Sequence, residues 1–169
     1  MKIYVVRHGV PVDGLTAEIR TDAERPLSER GIVETNMVAS ALKTLGARPD
    51  PIVSSPLVRA CQTADIFQEH LEGERVSSGS LAPGGAPDEV FSFLAKYEGR
   101  PEVMVVGHEP DVGDLVSALV GGSKQFCMPF KKGAVCCIEV ADIPPVLSGG
   151  IVWMLNPAVI GAFFQVKQP

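Results

Sequence analysis

Lys2-Ile3-Tyr4-Val5-Val6-Arg7-His8-Gly9 is a short apolar run that changes abruptly into an Arg-His-Gly triplet. A β-branched run of this length predicts a buried strand that continues into a loop. The same change occurs after residues 51–54, where Ser55 and Pro56 follow, and after residues 103–106, where Gly107 and His108 follow. In open α/β sheets, ligands bind beyond the carboxyl ends of the strands. The three strand ends therefore predict one common ligand site.

Helical patterns lie between these strands. Ser28 is a plausible N-cap for an amphipathic helix that stops at Gly46, and further helices are expected at about 58–72, around 90–97 and at 110–120. Two more strands are expected at about 134–140 and 151–155, as a possible hairpin with a long turn, and residues 76–81 are expected to form either a strand or a loop. The alternation predicts an α/β fold with a mostly parallel central sheet flanked by helices, as one domain over residues 1–169.

The composition excludes several classes of protein. Of 169 residues, 46% are hydrophobic and 21% are charged, with a net charge of −5, which gives no attraction to nucleic acid or to an anionic membrane. No apolar stretch approaches the roughly 18 residues that a membrane helix needs, and the early charges of the N-terminus do not fit a secretory signal. The four cysteines lack CxxC spacing and are interpreted as buried apolar residues of a reducing compartment. We expect a cytoplasmic protein. Its oligomeric state is left open, with a monomer expected.

Two histidines and two arginines stand at the predicted strand ends. His8 follows Arg7, His108 follows Gly107, and Arg59 lies in the first turn of the helix after Pro56. A cation is unfavourable at a helix N-terminus unless an anion binds there. Taken singly, each residue also has a structural interpretation, as a core histidine or a solvated arginine. Their concentration at three strand ends favours a shared functional site.

This set of side chains suits phosphoryl transfer. Guanidinium groups match phosphoryl oxygens with paired donors, and an imidazole can attack phosphorus and form a covalent intermediate. A metal site formed by His8, His108 and Glu109 is the alternative, but neighbouring guanidinium groups would repel a dication. There is no P-loop or GxGxxG motif after a strand, and no Cys-x5-Arg loop. The sequence therefore predicts no metal and no cofactor.

Four segments together resemble the histidine phosphatase superfamily, whose members have the phosphoglycerate-mutase-like fold. They are Arg7-His8-Gly9, Arg25-Pro26-Leu27-Ser28-Glu29-Arg30-Gly31, Ser54-Ser55-Pro56-Leu57-Val58-Arg59-Ala60-Cys61-Gln62-Thr63-Ala64 and Gly107-His108. The resemblance implies His8 as the nucleophile, with Arg7, Arg59 and His108 forming the phosphate pocket and Arg25 as a further substrate-binding residue. It also implies a small version of the fold without large lid insertions. The region after about residue 120 matches only by its strand pattern.

Within the superfamily, the chain most resembles the SixA-type phosphohistidine phosphatases. It is similarly short and has a comparable stretch at Leu81-Ala82-Pro83-Gly84-Gly85. Many superfamily members carry an acidic proton donor in this region. Here the nearest acids are Asp88 and Glu89, which are weak candidates. An alcohol leaving group needs that proton more than an imidazole does.

The resemblance thus favours a metal-independent phosphatase that acts through a phosphohistidine intermediate on His8. Its expected substrate is phosphohistidine on a signalling or phosphotransfer protein. The alternatives are a small-molecule phosphomonoesterase acting on a phosphorylated metabolite and, less favoured, a non-catalytic phosphate-binding module.

Overall fold

A computed structural model describes residues 1–121, 126–145 and 149–165, with side chains to residue 163. Its strands are β1 (Lys2–Arg7), β2 (Ile52–Ser54), β3 (Arg75–Ser77), β4 (Glu102–Gly107), β5 (Val135–Glu139) and β6 (Gly150–Leu155). Its helices are α1 (Glu29–Thr44), α2 (Val58–Leu71), α3 (Pro87–Leu94), α4 (Asp111–Gly121) and α5 (Pro157–Gln165). Short 3-10 helices span Asp22–Glu24, Gly79–Leu81 and Ala95–Tyr97.

The six strands form one sheet in the order β3-β2-β4-β1-β5-β6. The pairs β3/β2, β2/β4 and β4/β1 are parallel, whereas β5 runs antiparallel to both β1 and β6. The predicted α/β class and the mostly parallel sheet are therefore confirmed, as is the hairpin of the last two strands. Because β1, β2 and β4 are parallel neighbours, their carboxyl ends lie at one edge of the sheet.

Both faces of the sheet are covered by helices, which bury two apolar layers. Helices α3 and α4 contribute Leu94 and Leu115 to one layer, and α1 and α2 contribute Leu42 and Phe67 to the other. Burial on both faces explains why the strands are continuous apolar runs rather than alternating ones. None of the described helices has both the length and the apolar composition needed to cross a bilayer.

The cysteines follow the sequence prediction only in part. Cys136 and Cys137 are buried, one in each layer, as expected for adjacent residues of a strand. Cys61 is half-buried and Cys127 is exposed, so the prediction of burial is wrong for Cys127.

Helix α5 was not predicted from the sequence, and only part of the stretch 76–81, predicted as a strand or a loop, is a strand. The Asn156 side chain accepts a hydrogen bond from the Val159 backbone N–H at 3.1 Å, and Pro157 is the first helical residue. An Asn cap followed by Pro is a start signal that the sequence offered. The third strand ends at Ser77, and residues 79–81 turn into a 3-10 helix instead.

Candidate active site

The ends of β1, β2 and β4 bring the predicted residues to one cleft. The His8 backbone N–H donates to the Gly107 carbonyl at 3.1 Å, and that of Ser55 donates to the Val106 carbonyl at 2.9 Å, so the loops after the strands stay in register. The cleft encloses about 280 Å³. It is lined by Arg7, His8, Pro11, Asp22, Arg25, Arg59, Pro83, His108, Glu109 and Lys132. All five predicted site residues are therefore neighbours in space.

Close packing of the motif segments holds the loop after β1 in place. A Cβ on Gly9 would approach the Thr35 hydroxyl to 2.6 Å, and a Cβ on Gly31 would approach the Val10 carbonyl to 2.1 Å. Ser28 caps α1 by accepting from the Gly31 backbone N–H at 3.1 Å. Larger residues at the two glycine positions would push α1 away from the loop that carries His8.

Helix α2 is tied to the same loop through hydrogen bonds. The Gly9 backbone N–H donates to the Thr63 hydroxyl at 3.0 Å, and this hydroxyl in turn donates to the Arg59 carbonyl at 2.7 Å. The Gln62 side chain accepts from the Leu27 backbone N–H at 2.7 Å. The polar residues of the Gln-Thr-Ala segment therefore position Arg59 relative to His8.

His8 is a buried ring whose two nitrogens have different partners. Nδ1 lies 2.7 Å from the Gly9 carbonyl, which can only accept, so Nδ1 carries the proton. Nε2 accepts from the Arg59 Nε–H at 3.1 Å and therefore holds the lone pair. Burial, together with the nearby His108, Arg59 and Arg7, lowers the pKa of His8 to about 3, against the opposing effect of the Gly9 hydrogen bond. The ring is neutral at pH 7, with its lone pair facing the cleft cations.

Arg59 is only 6% exposed and stands at the centre of the cluster. Besides His8, its guanidinium donates to the backbone carbonyl of Asp22 at 2.7 Å and to the Asp22 carboxylate at 2.9 Å. A longer contact of 3.4 Å joins it to Nδ1 of His108. A buried guanidinium is stabilised by such partners and would otherwise be costly. Arg59 lies in the first turn of α2, as the sequence predicted.

His108 is 3% exposed, and its ring centroid lies 5.0 Å from that of His8. Nδ1 faces Arg59, which can only donate, so the neutral ring carries its proton on Nε2 and donates to the Ser55 hydroxyl at 2.7 Å. Burial and the positive charges of Arg59 and Arg7 lower the pKa of His108 to about 4, although Asp22 acts in the opposite direction. A phosphoryl group in the cleft would supply the negative charge that favours a second proton, on Nδ1.

The other two arginines differ in how fully their donors are used. Arg7 donates through one terminal nitrogen to the Phe130 carbonyl at 2.5 Å, while its buried Nε has no hydrogen-bond partner among the described residues. Arg25 donates to the Val12 carbonyl at 3.0 and 2.5 Å and to the Asp22 carboxylate at 2.9 Å. The donors of Arg25 with described partners are directed at the protein, whereas Arg7 keeps one donor without a partner among the described residues.

Sequence analysis missed two carboxylates of the cleft. Asp22 and Glu109 line it, whereas Asp88 and Glu89 are exposed on α3 and are not among the lining residues. Glu109 accepts from the Phe130 backbone N–H at 3.3 Å through Oε1, and its buried Oε2 has no hydrogen-bond partner within the described part of the chain. The adjacency of Glu109 to His108 was the available signal, but it was considered only for a metal site.

The arrangement places a neutral imidazole lone pair beside guanidinium donors in one cleft. Such preorganised donors stabilise charge that develops on phosphoryl oxygens. The Lys132 side chain adds a further positive charge at the cleft. Such an arrangement suits phosphoryl transfer.

Comparison with known proteins agrees with this geometry. The family model for the histidine phosphatase superfamily (branch 1) matches residues 3–81. The chain is 34% identical over 139 residues to an uncharacterised protein of Picosynechococcus sp., covering 80% of this chain and 82% of that protein. It is 29% identical over 161 residues to the phosphohistidine phosphatase SixA of Escherichia coli, covering 93% and 94% of the two chains.

A solved structure of the protein histidine phosphatase SixA with tungstate matches with a TM-score of 0.83 and 26% identity, over 95% of this chain and 99% of that one. The chain belongs to the histidine phosphatase superfamily. It is a phosphatase of the histidine phosphatase type, similar to the SixA phosphohistidine phosphatases in length, sequence and fold.

Proposed function

We propose that the protein removes phosphoryl groups from phosphohistidine on another protein, through a covalent phosphohistidine on His8. The observation that carries the proposal is the state of the His8 ring. Its Nδ1–H is held by the Gly9 carbonyl at 2.7 Å, which leaves the Nε2 lone pair among Arg59, His108 and Arg7. This ring is neutral, oriented and close to the donors that a phosphoryl group needs.

In the first step, Nε2 of His8 gives up its hydrogen bond from Arg59 and attacks phosphorus, and the bond from phosphorus to the substrate nitrogen breaks. The bonding electrons stay on that nitrogen, and a substrate ring protonated on its other nitrogen departs as neutral imidazole. Arg7 and Arg59 neutralise the phosphoryl oxygens, and His108 donates to one of them once Nδ1 has gained a proton.

In the second step, water attacks phosphorus and the bond to Nε2 of His8 breaks. The water loses a proton to solvent or to phosphate, and inorganic phosphate is released. His8 also leaves as a neutral ring, because the Gly9 carbonyl keeps the proton on Nδ1 throughout. One hydrogen bond therefore makes His8 both a nucleophile and a good leaving group.

The substrate assignment is supported by similarity to SixA phosphatases over nearly the whole chain and by the shape of the site. Between α2 and β4 the chain forms only β3, a 3-10 helix, α3 and a second 3-10 helix, and no larger insertion covers the cleft. Exposed Pro83 is the residue of this segment that lines it. Such a site accepts a side chain presented by another protein. We place this reaction in the cytoplasm, with the chain acting as a single domain and as a monomer.

The test of the intermediate is phosphoryl labelling. We expect rapid labelling by a phosphoryl donor that is labile to acid and stable to base, and we expect it to disappear in His8→Ala. The matched control is His70→Ala, since His70 lies on α2 outside the cleft and bonds to Asn36 on α1. Labelling that persists in His8→Ala would refute the assignment of the nucleophile.

Hydrolysis of a small phosphomonoester is the second candidate, and Glu109 favours it. A carboxyl group that lines the cleft, with one oxygen unpartnered among the described residues, would protonate a departing alcohol, the step for which Asp88 and Glu89 are poorly placed. The test compares phosphohistidine protein, aryl phosphate and alkyl phosphate with wild type and Glu109→Gln. The first candidate expects alkyl phosphates to be much the slowest substrates and Glu109→Gln to have little effect. The second expects comparable rates, with alkyl esters selectively slowed by about 10²–10⁴-fold in the variant.

A further inference from the structure

Asp22 occupies the position in this cleft where a phosphoryl group would compete for donors. Its carboxylate forms two ion pairs, one from Oδ2 to Arg59 at 2.9 Å and one from Oδ1 to Arg25, also at 2.9 Å. Its backbone carbonyl accepts a third bond from Arg59 at 2.7 Å. These are the same charge-assisted contacts that an oxyanion would make with guanidinium groups.

The donors of Arg59 are almost fully engaged as a result. A guanidinium has five N–H donors, and Arg59 already contacts His8, the carbonyl and carboxylate of Asp22, and His108. An incoming phosphoryl group can gain paired contacts with Arg59 only if some of these are broken. Attack by His8 would release only the Nε–H of Arg59. At the terminal nitrogens, the largely exposed Asp22 carboxylate is the partner that can leave.

The position of Asp22 permits this movement. It begins a 3-10 helix of three residues, and its side chain is 61% exposed although its partner Arg59 is only 7% exposed. Rotation of the side chain toward solvent would leave no buried charge behind on Asp22 itself. The hydrogen bonds to Arg25 and Arg59 lower the pKa of Asp22, so the group is a carboxylate at neutral pH.

We propose that Asp22 is a resident anion that closes the phosphate pocket and is displaced by the phosphoryl group of the substrate. The inference rests on the proposed function only in taking this cleft as the phosphoryl site. Two linked consequences follow. Asp22 weakens the binding of inorganic phosphate, the product, and thereby speeds its release. It also excludes weakly charged anions, because a carboxylate or a monoanionic ester cannot replace an anion that already holds two arginines.

The test measures oxyanion binding without turnover. Titration calorimetry gives the Kd of inorganic phosphate and of tungstate for wild type and for Asp22→Asn, which keeps the size of the side chain and removes its charge. We expect the variant to bind both anions about threefold to tenfold more tightly, the range expected for losing competition from partly exposed ion pairs. Product inhibition by phosphate should strengthen by the same factor.

The matched control is Asp13→Asn, which removes one negative charge from the same loop. Asp13 is exposed and does not line the cleft, so its variant should bind phosphate like wild type. Asp22→Ala should change affinity in the same direction as Asp22→Asn. Unchanged or weaker anion binding in both Asp22 variants would refute the proposal, and weaker binding would make Asp22 a residue that positions Arg59. Equal tightening in Asp13→Asn would reduce the effect to net charge. Because the titrations involve no turnover, their outcomes do not depend on which phosphorylated substrate the enzyme hydrolyses.

Discussion

Replacing Arg59 by alanine tests the role of the central cation most directly. The guanidinium contacts both histidines and lies 6% exposed among them. Loss of one preorganised donor to a developing oxyanion costs about 3–4 kcal/mol, or about 10²–10³ in rate. Since Arg59 can offer more than one donor once Asp22 has moved, we expect kcat/KM to fall by at least this factor.

The same substitution should move the pH profile. The charge of Arg59 is among the causes that lower the pKa of His8 to about 3 and that of His108 to about 4. Removing Arg59 also admits water, which reduces the desolvation of both rings. Both effects raise the two pKa values. Because His8 must be neutral to attack, the acid limb of kcat/KM should shift to higher pH in Arg59→Ala.

The assay is hydrolysis of an aryl phosphate from pH 4 to 8, with thermal unfolding measured in parallel. Arg75→Ala is the control, because Arg75 does not line the cleft and pairs with Asp65 at 2.8 Å. This variant should keep kcat/KM within a few-fold of wild type. Arg59→Ala should remain folded at the assay temperature, because the charge left behind on Asp22 is largely exposed. A loss of only a few-fold in kcat/KM, with no pH shift, would make the cluster a structural charge network.

Three further outcomes follow from the same geometry. The free energy of unfolding should fall as pH drops from 6.5 toward 4, by about 1.4 kcal/mol per pH unit for each histidine, because His8 and His108 are neutral when folded and protonated when unfolded. In denaturant melts, the double variant His8→Asn/His108→Asn should show a weaker dependence of this free energy on pH. An equal dependence in the variant and wild type would contradict the lowered pKa values. Tungstate binding at pH 6 should take up a fraction of a proton onto Nδ1 of His108, because the bound anion raises the pKa of that ring from about 4. Calorimetry in buffers of different ionisation enthalpy measures this uptake, and uptake that persists in His108→Asn would assign the proton elsewhere. Activity should survive exhaustive chelation, because a guanidinium-rich cleft disfavours a dication, and recovery only on adding a divalent ion would overturn this expectation.

Local patterns were sufficient to predict much of the fold. Apolar runs such as residues 2–6 and 103–106 predicted buried strands. These strands are buried because helices cover both faces of the sheet. Ser28 and Gly46 marked the two ends of α1 through capping and a positive φ. The parallel order of these strands then required Arg7, His8 and His108 to meet at one edge, so the sequence alone predicted the cluster.

The tertiary structure decided the features that depend on distance between segments. Asp22 stands in a loop without periodicity, and nothing in its neighbours shows that its carboxylate reaches Arg59, 37 positions away. The Glu109 carboxylate accepts a hydrogen bond from the backbone N–H of Phe130, a residue in a region that matches no motif. The proton on His8 is likewise fixed by the orientation of the Gly9 carbonyl, which follows from the path of the loop. Periodicity determines which residues are buried, because burial is a property of one element, whereas contacts between polar side chains arise only when the loops are placed against each other.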